Sequence, residues 1–184
     1  MRHNFGPKPL LYPMPVFIIA TYNEDGTANA MNAAWGGIAD TEIIGICLGE
    51  HRTTDNIFAR KAFTVSMADV ENVVAADYVG IVSGNQEPGK LEKAGWHTTK
   101  SAFVDAPLID ELPMALECEF ISYDEETGLL LGKIVNVCAE ERILTDGKID
   151  LAKFHPITYD PSGHGYYTLG KKVGNAFSDG KQLR

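Results

Sequence analysis

Apolar and polar positions alternate most regularly from Leu116 to Phe120, where Leu116, Cys118 and Phe120 are interleaved with Glu117 and Glu119. A period of two predicts a half-buried strand with both glutamates in water. Beyond a Thr127-Gly128 turn, Leu129 to Ala139 predicts the returning strand. Earlier in the chain, Pro15 opens an apolar strand over Val16 to Thr21, and Asn23-Glu24-Asp25-Gly26 predicts a hairpin into a second strand, Ala28 to Trp35. Gly36-Gly37 interrupts or bends that strand. Ile43 to Leu48 reads as a third, buried strand, Asp55 to Lys61 as a short helix and Phe63 to Met67 as a further strand. Val70 to Val79 has the length of a helix with Asp69 as its N-cap, followed by a loop from Ser83 to Gly89. Asp146-Gly147 marks another turn, and the Pro, Gly and His content of His155 to Gly165 predicts a loop. Pro7, Pro9 and Pro13 make residues 1–14 an extended arm. Many strands joined by hairpins, with few short helices, predict a mainly β (α+β) fold: an antiparallel barrel with short helical insertions.

With 184 residues, 45% of them hydrophobic, the chain fits one domain spanning 1–184 better than two. Its formal net charge of −9 repels phosphate backbones and anionic membranes, so neither nucleic acid nor a membrane is an expected partner. No window has the length and apolarity of a membrane span, and the first residues lack a signal-peptide core, which predicts a cytoplasmic protein. Cys47, Cys118 and Cys138 are far apart and sit in apolar or alternating runs, so they read as buried reduced thiols. The five histidines have no metal-ligand spacing, and no metal is expected. The run Gly163 to Gly170 fails the GxGxxG spacing, which removes a Rossmann domain.

Two segments depart from what their elements need. Arg52-Thr53-Thr54 sets a guanidinium fork and two hydroxyls before a helix, which suits an anion; equally, a threonine here N-caps the helix and Arg52 is a surface charge. Asn56 in the first turn would cap or touch a ligand. The strand Asn29-Ala30-Met31-Asn32-Ala33-Ala34 replaces branched residues by amides and small side chains, so a backbone can approach a flat polar ring; alternatively it packs under a helix. Trp35 reads as a core or dimer-interface residue, and Tyr166-Tyr167 as a ring cover or a buried aromatic pair.

In their order and spacing, NAMNAAW (29–35), HRTTDNI (51–57) and AFTVSM (62–67) resemble the flavin reductase-like family of FMN-binding split-barrel proteins, which includes the flavoredoxins. IVSGNQEPGKLEKAGW (81–96), LPMALECEF (112–120), LLGKIVNV (130–137) and YYTLG (166–170) extend the resemblance over almost the whole chain. It implies an FMN-binding split β-barrel, with Arg52, Thr53 and Thr54 on the phosphate and Asn29, Ala30, Met31, Asn32, Ala33 and Ala34 at the ring. Ser83, Gly84 and Lys90 match a loop near the flavin, although Asn85 to Gly89 replaces the family's more usual residues before that Lys. The resemblance further implies a homodimeric FMN-dependent oxidoreductase, with no side chain as catalytic acid or base. It is either an NAD(P)H-dependent flavin reductase, holding the nicotinamide transiently, or a flavoredoxin-type electron transfer protein served by a redox partner protein. A non-catalytic flavin- or haem-binding module is the alternative, for which His51 is the axial candidate beside the site.

Overall fold

The computed structural model describes residues 1–184. It begins with strands β1 (Met14–Pro15), β2 (Phe17–Tyr22), β3 (Ala28–Ala33), β4 (Gly36–Asp40) and β5 (Ile43–Cys47), then helix α1 (Arg52–Arg60) and β6 (Ala62–Met67). Helices α2 (Val73–Ile81) and α3 (Lys90–Lys93) precede β7 (Thr98–Lys100), β8 (Pro107–Ile109) and the two long strands β9 (Met114–Asp124) and β10 (Leu129–Ala139). The short strands β11 (Leu144–Thr145), β12 (Lys148–Ile149), β13 (Ile157–Asp160) and β14 (Gly165–Thr168) complete the chain. No helix is long and apolar enough to cross a membrane.

Seven strands form one antiparallel sheet in the order β3-β2-β6-β9-β10-β5-β4. Its two edge strands, β3 and β4, are consecutive in the chain and joined only by Ala34 and Trp35. Because a residue spans at most about 3.6 Å, both edges must lie within a few residues' reach of each other. The sheet is therefore curled almost full circle and split along the β3–β4 seam.

The period of two assigns side chains to the two faces. Phe17, Ile19, Ile44, Ile46, Phe63, Val65, Leu116, Cys118 and Leu130 point inward and form the barrel core. Each large side chain so buried contributes roughly 1.5–3 kcal/mol. Ile18 and Ala20, from the opposite face of β2, and Val16 just before it pack with Ala76 and Val79 of α2 and with Trp96. Phe63 is wholly buried, and Gly132 of β10 makes room for it: a Cβ there would lie 2.3 Å from the ring's ζ carbon. Ile57 brings α1 into the same core.

Several elements differ from the sequence expectation. Helix α1 begins at Arg52, three residues earlier than Asp55, because His51 is the extended N-cap. Thr53 and Thr54 thus lie in its first turn. Asp69 does not cap α2; its Oδ1 accepts the Asn72 backbone N–H (3.0 Å) and amide (2.8 Å), closing a turn before the helix starts at Val73. Gly36-Gly37 opens β4 on the far edge of the sheet. Met14, assigned to the arm, pairs with Tyr159, and the expected loop at His155 to Gly165 contains most of the β13–β14 hairpin. Glu117 is 1% exposed. The loop after β7 covers it, Ser101 Oγ donates to its carboxylate, and Asn136 Nδ2 donates at 2.6 Å. Cys118 is buried as expected, burial pushing its thiol up to about 12, whereas Cys47 is exposed at the end of β5.

Candidate functional site

Strand β3 presents two faces to two helices. Met31 and Ala33 pack against the barrel core, while Ala30 belongs to the layer under α2. On the first side Asn29 Nδ2 donates to Thr53 Oγ1 at 2.8 Å, with both residues buried. On the second, Asn32 Nδ2 donates to the Ala76 carbonyl of α2 at 3.1 Å. One N–H of each amide thus fastens the strand to a helix.

The N-terminus of α1 lies beside Asn29. First-turn N–H groups have no acceptor within a helix, and the N-cap residue His51 supplies no side-chain bond to them. Thr54 Oγ1 donates instead to the Gly49 carbonyl at 2.8 Å, which fixes the turn leading into the helix. Arg52 Nε donates to Asn85 Oδ1 at 2.8 Å, tying the helix start to the Ser83–Gly89 loop. Gly84 is required there, because a Cβ would stand 2.4 Å from Asn29 Oδ1 and 3.3 Å from Arg52 Cδ. Ser83 Oγ accepts the Asn85 backbone N–H at 3.2 Å, which holds the loop in shape.

Lys90 is 3% exposed, and its Nζ donates to the carbonyls of Val79 (3.3 Å) and Val82 (3.2 Å) at the C-terminal end of α2. Burial, and then the Arg52 charge nearby, lowers its pKa to about 8. Neither Arg52 nor Lys90 has a carboxylate within ion-pair distance. Arg52, a cation without a counter-ion at an uncapped helix N-terminus, makes a place for an anion, with the buried Lys90 close enough to feel its charge. Asn56 is not part of it: its amide donates to Thr21 Oγ1 (3.0 Å) and Asn23 Oδ1 (2.9 Å).

From Met31 to Trp35 the chain lines a cavity of about 260 Å³ completed by Cys47, Leu48, Gly49 and His51. A broad groove of about 1100 Å³ shares Trp35, Cys47, Leu48, Gly49 and His51 and continues past Arg52 and Thr54 to Phe58 and Tyr123. A third hollow, about 330 Å³, lies against Asn32 to Trp35, Asp77, Tyr159 and Tyr166. Tyr166 donates to Asp77 Oδ1 at 2.8 Å; burial first, and then that bond, pushes its phenol up to about 12. Trp35 is 54% exposed where the three hollows meet, so it is no core residue, and Tyr167 is exposed as well. Cys47, read from the sequence as a buried thiol, lines the groove instead, and of the further lining residues Asn85 and Tyr123 only Asn85, inside a matched motif, carried a signal.

The model of the flavin reductase like domain family matches residues 10–164. The chain belongs to this family. A flavoredoxin of Desulfovibrio vulgaris (Miyazaki F) has 36% identity and a TM-score of 0.94, over 98% of this chain and 100% of that one. A flavoredoxin from Methanosarcina acetivorans has 26% identity and a TM-score of 0.89, with both chains covered over 100%. The FMN-binding domain of a flavin reductase-like enzyme from Shewanella baltica OS155, at 20% identity and a TM-score of 0.80 over 90% and 91% of the two chains, shares the fold. The curled antiparallel sheet is accordingly the split barrel of the flavin reductase-like family, as the motifs implied, and the family points to a flavin-binding oxidoreductase.

Proposed function

We propose that the chain is an FMN-dependent oxidoreductase of the flavin reductase and flavoredoxin type, acting as a cytoplasmic homodimer with NAD(P)H or a redox protein as electron donor. The observation that carries this reading is Arg52 at the uncapped start of α1, with the buried Lys90 close enough to feel its charge and neither cation paired to a carboxylate. A phosphomonoester supplies the missing charge, and it matches the planar fork of Arg52 and the first-turn N–H groups. The small residues of β3 and the link after it suit the flat ring, since Ala33 and Ala34 line the hollow with Leu48, Gly49 and His51. The 36% identity to a flavoredoxin supports the same reading.

When bound, the flavin supplies the two-electron chemistry. The chain's own residues bind and orient: Arg52, Thr53, Thr54 and Lys90 hold the phosphate end, Ser83 and Gly84 shape the loop over it, and Asn29 to Ala34 position the ring. Leu48 and Trp35 limit its access to water. The homodimer is supported by β4, an edge strand exposed along its whole length that carries Ile38 at 66% exposure.

The absorbance spectrum of the purified protein, before and after adding FMN, tests this. A flavin spectrum whose chromophore elutes as FMN on denaturation is expected; no bound flavin and no uptake overturns the proposal. Anaerobic NADH or NADPH should then bleach the flavin band. Bleaching by dithionite alone replaces the reductase by the electron carrier.

A further inference from the structure

The segment Leu169–Arg184 follows β14 and is exposed at every residue, with Val173 at 96%, Phe177 at 100% and Leu183 at 94%. It nonetheless folds on itself. The Asn175 carbonyl accepts the backbone N–H groups of Ser178 and Asp179, Asp179 Oδ2 accepts that of Asn175, and a 3-10 turn ends the chain at Asp179–Leu183. All these bonds stay within the segment. Apolar side chains held in water by a structured turn belong on a surface of another molecule.

Charge selects that surface. Lys171, Lys172, Lys181 and Arg184 face a single acid, Asp179, in a chain of net charge −9. The groove of about 1100 Å³ is its complement: Glu50, Asp55, Glu125 and Glu126 stand exposed on its rim, above Phe58 and Tyr123, whose rings meet edge to face at 5.1 Å. None of these four acids, and none of the segment's four cations, has an ion-pair partner in its own chain. The segment leaves β14 on the α2 side of the barrel, where Tyr166 meets Asp77, whereas the groove opens by the start of α1 and the β9–β10 turn. No residue of the segment lines its own chain's groove.

We propose that the groove of one protomer receives Leu169–Arg184 of a second copy, with Phe177 on the aromatic floor and the lysines along the acidic rim. The partner's segment then roofs Trp35, Leu48 and His51. The docking rests on charge and apolar complementarity alone; only its consequence, a cover over the cofactor, rests on the function proposed above.

Cys47, exposed and lining the groove, is a built-in probe. In the full-length F177C variant, mild oxidation should give a covalent dimer on a non-reducing gel, and F177C/C47S should not. Glu125→Lys with Glu126→Lys should lower the cross-linking several-fold, and adding Lys171→Glu with Lys172→Glu should restore it. Absence of the covalent dimer, a disulfide formed within single chains, or a yield indifferent to charge reversal each overturns the proposal. The gel needs no flavin, so a protein that cross-links but holds no FMN refutes the cofactor reading alone.

Discussion

Asn29 and Thr53 meet in a 2.8 Å hydrogen bond that joins an edge strand to the first turn of α1, with both side chains almost sealed from water. It ties the ring-facing strand to the phosphate-facing helix, so the two halves of the candidate site move together. Asn29→Ala removes the donor and leaves the Thr53 hydroxyl buried, which costs about 1–3 kcal/mol. Calorimetry should show Tm lowered by about 2–4 °C for each kcal/mol lost. FMN titration should show weaker binding. An unchanged Tm would mean that the bond does not couple these elements.

Arg52→Ala should weaken FMN about ten- to a hundred-fold, since a charge-assisted hydrogen bond contributes roughly 1.5–3 kcal/mol. Riboflavin, which has no phosphate, should bind wild type and variant alike. Parallel fluorescence titrations of both ligands read this directly; equal losses for the two would move Arg52 away from the phosphate.

The Lys90 ammonium, with its pKa lowered to about 8, gives a pH dependence of definite sign. An anion favours the charged form, so FMN binding draws on a protonated Lys90 below pH 8 and must take up a proton above it. Affinity should fall as pH rises beyond 8, by up to about tenfold per unit for one linked proton. The effect on folding is opposite: a charged Lys90 costs the native state stability below pH 8, and that cost is relieved as pH climbs toward 10.5, the ordinary lysine value. Titrations from neutral to alkaline pH, compared with Lys90→Met, should show the slope in FMN affinity disappear in the variant. A slope that survives would assign it to another group.

Gly132→Ala should destabilise the barrel, because the new methyl would stand 2.3 Å from the buried Phe63 ring. Overpacking of this kind costs about 1–3 kcal/mol. Denaturant unfolding should recover most of the loss in the double variant with Phe63→Leu; a single variant as stable as wild type would show that the ring has room to move.

Local chemistry was legible and long-range pairing was not. Asp25-Gly26 and Asp146-Gly147 announce their turns because glycine reaches positive φ, 83° at Gly26 and 72° at Gly147, and the amide-rich β3 was visible as an anomaly. Pairing between β5 and β10 left no local mark, since partners such as Cys47 and Leu129 are far apart in the chain. Glu117 read as exposed because its own strand alternates; the loop through Ser101 that covers it follows no period. The early start of α1 depends on the extended backbone at His51. Residue type alone does not report that, so Thr53 and Thr54 were assigned to the wrong side of the helix boundary.

The two-residue link through Ala34 and Trp35 has a mechanical consequence. Along the β3–β4 seam no ladder bonds cross, so parting the edges breaks no backbone hydrogen bonds of the sheet, whereas parting any other neighbours unzips a ladder. The seam is therefore the line along which the barrel is held without a backbone ladder, with the link as its tether, and it borders the hollow lined by Asn32 to Trp35. Because Met31 and Ala33 of β3 pack on the barrel core, only side-chain packing and the short link close the barrel along this line.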